Sequence, residues 1–128
     1  VLVFDRLVLD VDNLERSLRF YTEVLDFQVV GNGAWSGSRT AILQLGAFHL
    51  LLLEQPREPG MDYQLPKSGP VIGLSEVKLE ARATALQRAG VTIVAPLRPS
   101  ASGSLSLLIS DPDGYLIMLQ EPAAIPAG

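Results

Sequence analysis

Apolar and polar residues alternate over residues 1–11, VLVFDRLVLDV. Leu7, Leu9 and Val11 fall on one side and Phe4, Arg6, Val8 and Asp10 on the other, which predicts a strand buried on one face. Asp12 or Asn13 is then placed to cap a helix in which Leu14, Leu18, Tyr21 and Leu25 recur at helical spacing. Glu15, Arg16, Arg19 and Glu23 turn to water, and the apolar stripe requires a sheet to cover. Further strands are predicted at residues 27–30, at 40–45 after a glycine-rich loop GNGAWSGS, and at 48–54 after Gly46. The first half therefore reads β-α-β-β-β.

Residues 55–70, QPREPGMDYQLPKSGP, carry four prolines and two glycines, a composition that excludes continuous helix or central strand and predicts a linker. Beyond it the order returns. A strand is predicted at 71–76, a helix at 78–89 closed by Gly90, and strands at 91–95, 105–110 and 115–121. Leu14-Glu15 corresponds to Leu79-Glu80 at an offset of about 65 residues, half the chain, as a tandem duplication would give. The expected organisation is a first βαβββ unit at 1–54, the linker at 55–70 and a second unit at 71–128, together one domain. Its fold class is α+β, with the tandem βαβββ units forming a curved, open-barrel-like mixed sheet, helices outside and a ligand hollow on the other face.

Composition narrows the function classes. A chain of 128 residues with 48% hydrophobic content has enough apolar material for one globular domain. Fourteen acidic against ten basic residues give a net charge of −4, which opposes nucleic-acid binding and favours the approach of a cationic ligand. Cysteine is absent, which removes disulfides, thiolate catalysis and cysteine-based zinc sites and suits a reducing cytoplasm. Apolar runs such as residues 50–53 fall far short of the roughly 20 residues of a membrane helix, and no signal peptide is seen. A cytoplasmic protein without membrane or nucleic-acid partners is expected.

FDRLVLDVDNLERSLRFYTEVLDFQVV, the linker position and SDPDGYLIMLQE together resemble the vicinal oxygen chelate superfamily, which includes glyoxalase I, extradiol dioxygenases, fosfomycin-resistance enzymes and bleomycin-binding proteins. In its metal-using families the resemblance implies a His on the first strand, a Glu on the fourth, a His or Glu on the fifth and a Glu on the eighth. Matched to this chain, those positions hold Arg6, Leu51, Val71 and Met118. Valine and leucine have no donor atom, methionine sulfur suits only soft ions, and arginine is a permanent cation. Neither metal nor cofactor is therefore expected. Met118, with Leu116 and Gln120 on its side of the strand, becomes apolar lining of the hollow. The resemblance also implies a homodimer.

Other residues add chemistry around that lining. His49 is the sole histidine and shares a strand face with Leu51 and Leu53, whereas Glu54 points to the opposite face, so the two do not chelate one ion. His49 is either a hydrogen-bonding or basic group at the rim or a partly exposed strand residue. Arg6 on an inner face needs a carboxylate partner, Asp5, Asp10 or Glu121, or an anionic ligand. Trp35, in the glycine-rich stretch, offers a flat face to a planar ligand or pins its loop, and Tyr63 in the linker is a candidate lid. GNGAWSGS lacks the Gly-Lys-Ser/Thr of a phosphate loop, and no serine has His and acid at suggestive spacing. DPDG reads as a structural turn.

The expected function is metal-free binding of a bulky, partly apolar or aromatic small molecule, such as an antibiotic, by Arg6, Val8, Trp35, His49, Leu51, Val71, Met118 and Gln120. The rival expectation is a lyase, isomerase or natural-product tailoring enzyme that uses His49 as base or holds metal through His49 and Glu121. A regulatory sensor is a third.

Overall fold

The computed structural model describes residues 1–56, 70–100 and 103–122. The chain divides into two compact units, Val1–Gln64 and Leu65–Gly128. Most of the expected linker, with Tyr63, lies outside the described residues.

In the first unit β1 (Leu7–Val11) leads into α1 (Leu14–Arg19), which continues as a π-helical turn at Phe20–Val24. The strands β2 (Gln28–Trp35), β3 (Ser38–Leu45) and β4 (Phe48–Glu54) follow. The sheet order is β1-β4-β3-β2, with β1 parallel to β4 and the other pairs antiparallel. Asn13 caps α1, its side chain accepting from the Arg16 N–H at 2.9 Å. Leu14, Ser17, Tyr21 and Leu25 are the buried positions of the helical segment. The small Ser17 serves where the apolar pattern suggested only Leu18. On the sheet, Leu9, Val11, Ala41, Leu43, Leu50 and Leu52 are buried on one face, and Tyr21 meets Phe27 edge-on with ring centroids 5.5 Å apart.

The second unit repeats the plan. β5 (Ile72–Ser75), α2 (Leu79–Arg88), β6 (Thr92–Pro99), β7 (Leu105–Ser110) and β8 (Leu116–Gln120) form a sheet of order β5-β8-β7-β6, with β5 parallel to β8. Its core holds Ile72, Leu79, Leu86, Leu107, Ile109, Ile117 and Leu119. Gly90, at φ 75°, takes the left-handed position that closes α2. The architecture is α+β, two βαβββ units each with an open four-stranded mixed sheet, as the sequence predicted.

Three boundaries differ from expectation. β1 starts at Leu7 rather than Val1, because its parallel partner β4 begins only at Phe48 and the pairing opens at Leu7 with Leu50. Val1, Leu2, Val3 and Phe4 are exposed. Most of GNGAWSGS is not a loop but the outer half of β2, and the chain reverses only at Ser36 and Gly37, both with positive φ, 51° and 84°. Two consecutive left-handed residues match the twist of a two-residue hairpin, so the glycines before them remain in the ladder. β6 runs on to Pro99 despite Pro96, which is tolerated because β6 is an edge strand with register shifts at 93/95 and 95/98.

Candidate functional site

Each sheet has one face turned to its helix and one turned away from it, called the open face although Leu53 and Thr40 on it are buried, and strand parity decides which side chains stand on each. In the first unit the central row across the sheet is Val8, Leu51, Ile42 and Gly31, paired strand to strand. The next row is Asp10, Leu53, Thr40 and Gly33. His49 pairs with Gln44, and Trp35 with Ser38, on the same face. In the second unit the central row is Gly73, Met118, Leu108 and Ala95, followed by Ser75, Gln120, Ser106 and Arg98. Neither central row contains a side-chain nitrogen or oxygen.

The residues singled out from the sequence therefore fall on two open faces, one in each unit. Val8, Trp35, His49 and Leu51 share the first, with Val8 50% and Trp35 67% exposed, while Leu51 and His49 are half-buried. Met118 and Gln120 share the second. Arg6 and Val71 precede β1 and β5 by one residue and lie outside the strands. Arg6 donates from Nε to the Asp5 carboxylate at 2.9 Å, so Asp5, not Asp10, is its partner. His49 makes no side-chain hydrogen bond or ion pair among the described residues and has no carboxylate to orient it.

Sequence reasoning missed Ile42, Leu108 and the glycines. Gly31 and Gly33 alternate with Trp35 in phase, a period-two signal hidden by reading glycine as a loop marker. A Cβ at Gly31 would come no closer than 3.7 Å to Ile42, so the glycine leaves open backbone beside an apolar side chain.

Glu54 occupies the opposite face from His49, at the helix-side register, and holds α1 in place. It accepts from the Leu14 N–H at 2.8 Å and, through both oxygens, from Arg39 at 3.0 and 2.9 Å. Arg39 also forks onto Glu15. The Arg39 guanidinium holds both carboxyls below the ordinary carboxylate value, the Leu14 N–H adding to this at Glu54, and Arg39 is raised in turn. Because the folded-state values are depressed, their contribution is present above the ordinary value of 4.5 and is lost as pH falls through the lower folded values. Glu54→Gln is expected to flatten the acid limb of a stability-versus-pH curve below pH 4.5. At neutral pH it should cost about 1 kcal/mol or less, the scale of a partly exposed ion pair, because the amide keeps an acceptor oxygen for the Leu14 N–H. Urea unfolding across that pH range checks both.

The family resemblance implies a divalent metal at Arg6, Leu51, Val71 and Met118, and the donors there do not fit one: a guanidinium already bound to Asp5, two hydrocarbons and a thioether. Among the described residues no group of three or more His, Asp or Glu side chains is arranged to hold a metal ion. Among the same residues, no helix is long and apolar enough to cross a membrane.

Comparison with known proteins identifies the fold and the family. Virulence protein STM3117 of Salmonella typhimurium is 32% identical over 122 residues, spanning 91% of this chain and 82% of that protein. Its crystal structure superposes with a TM-score of 0.67 at 28% identity, covering 96% of this chain and 98% of that one. A glyoxylase/bleomycin resistance protein/dioxygenase domain from Frankia sp. EAN1pec has a TM-score of 0.78 at 20% identity, covering 96% and 93% of the two chains. The fosfomycin resistance protein FosX from Mesorhizobium loti gives 0.71 at 18%, covering 96% and 94%. The last two show a shared fold. Residues 3–119, nearly the whole chain, match a single family description, and with the STM3117 relationship this places the protein: it belongs to the Glyoxalase/Bleomycin resistance protein/Dioxygenase superfamily.

Proposed function

We propose that this chain binds a bulky, partly apolar or aromatic small molecule against its open sheet faces, without a metal at the family's ligand positions. The observation that carries the reading is the pair of central rows, Val8-Leu51-Ile42-Gly31 and Gly73-Met118-Leu108-Ala95, which offer apolar area and no metal donor suited to a hard or borderline cation. Met118 gives the second row a side chain that adapts to irregular ligand shapes. Trp35 supplies a stacking face, and Arg6, His49, Val71 and Gln120 contribute at the margins. Family members named for bleomycin and fosfomycin resistance make an antibiotic one ligand of this chemistry. A cytoplasmic homodimer belongs to the same reading, with edge strands β1, β2, β5 and β6 as the surfaces for pairing.

The test is a fluorescence titration with the neutral apolar probe N-phenyl-1-naphthylamine, with and without EDTA. Saturable brightening that EDTA leaves unchanged is expected, and Leu51→Asp should weaken it about tenfold or more by setting a charge in the apolar row. No binding, or binding that EDTA abolishes and a divalent cation restores, would refute the proposal. A catalytic role for His49 would instead appear as turnover lost in His49→Ala with affinity intact.

A further inference from the structure

The row beside Met118 is polar from one edge of the second sheet to the other. Ser75, Gln120, Ser106 and Arg98 stand opposite one another on β5, β8, β7 and β6, so two hydroxyls, an amide and a guanidinium form one line across the second sheet. Ser75, Gln120 and Arg98 are exposed and Ser106 is half-buried. Among the described residues none of the four side chains makes a hydrogen bond or ion pair. The nearest carboxylates in sequence have the opposite parity and are engaged elsewhere: Glu121 accepts from the Leu105 N–H at 2.7 Å, and Glu76 pairs with Arg82 at 3.0 Å. The line therefore has one full positive charge, several neutral donors and no anion.

Immediately alongside runs the apolar row Gly73, Met118, Leu108 and Ala95. A ligand covering both rows has an apolar body and, one row further along the strands, an oxyanion. A guanidinium fork flanked by hydroxyl and amide donors matches a carboxylate or sulfonate and has nothing to offer an ammonium group. The net charge of −4 favours cations at long range, but contact chemistry in this row is set by Arg98.

We infer that the second unit's open face selects apolar organic anions, with Arg98 as the residue that determines charge preference. This rests on the binding reading above and narrows it to a ligand class. The probes are a matched pair, 8-anilino-1-naphthalenesulfonate and N-phenyl-1-naphthylamine, which differ only by the sulfonate. The wild-type chain is expected to bind the sulfonate probe about tenfold more tightly than the neutral one. Arg98→Gln should erase that preference while leaving the neutral probe's affinity unchanged, and raised salt should weaken only the sulfonate probe. Thermal unfolding of Arg98→Gln checks that the exposed edge substitution leaves the fold intact, and Arg98→Lys should retain part of the preference. Equal affinity for both probes, or a preference that survives Arg98→Gln, would overturn the anion assignment and leave apolar binding standing. Failure of both probes to bind would overturn the assignment together with the reading beneath it.

Discussion

Leu52→Ala is expected to lower the unfolding free energy by about 2 to 5 kcal/mol, whereas Leu51→Ala, one residue earlier on the same strand, should cost only about 1 kcal/mol. The difference follows from parity. Leu52 is fully buried on the helix side of β4, opposite Leu9 on β1 and Ala41 on β3, so truncation removes its transfer free energy and leaves a cavity. Leu51 is half-buried on the open face between Val8 and Ile42, where solvent fills the space left by a shorter side chain. Binding of the neutral probe should move the other way, falling several-fold in Leu51→Ala and little in Leu52→Ala wherever the latter is still folded. Urea denaturation and probe titration on the two variants measure both halves. Equal stability losses would contradict the assignment of faces.

Asp111→Ala should cost about 2 to 3 kcal/mol. This buried carboxylate accepts from the Asp113 N–H at 2.9 Å and the Tyr115 N–H at 2.8 Å. The backbone of the same residue closes the turn, with the Gly114 N–H donating to the Asp111 carbonyl and the Asp111 N–H to that of Tyr115. Alanine leaves two N–H groups without their charged acceptor. Asp111→Asn, which keeps one acceptor oxygen, should recover much of the loss. Because this turn sets where β8 begins, it also fixes which residues of the strand stand on the open face. Asp111→Ala should therefore weaken the neutral probe as well, and calorimetric unfolding beside the titration shows whether stability and affinity fall together.

Much of the fold was legible because its signals are local. Asn13 before the apolar stripe, Gly90 after α2 and DPDG before β8 each mark an element end by their own backbone chemistry. The repeat was visible from Leu14-Glu15 and Leu79-Glu80, which open the two helices. What escaped depends on partners distant in sequence. The start of β1 is decided by where β4 begins, some forty residues on, and the extension of β2 through Gly31 and Gly33 by the length of β3. The same holds for the site. His49, Leu51 and Met118 could be assigned a face by counting along their own strands. The polar line through Ser75, Ser106 and Arg98 exists only across four strands, and the register shifts in β6 hide the phase of Arg98 from any count along the chain.

Metal-free binding is the core of the proposed function, and metal content tests it most directly. The protein, purified without chelator and incubated with nickel, zinc, iron and manganese before desalting, is assayed by inductively coupled plasma mass spectrometry. Substoichiometric metal that is indifferent to His49→Ala is the expected result. One ion per chain, lost on replacing His49 or Glu121, would contradict it and make the protein a chelating enzyme with an altered ligand set.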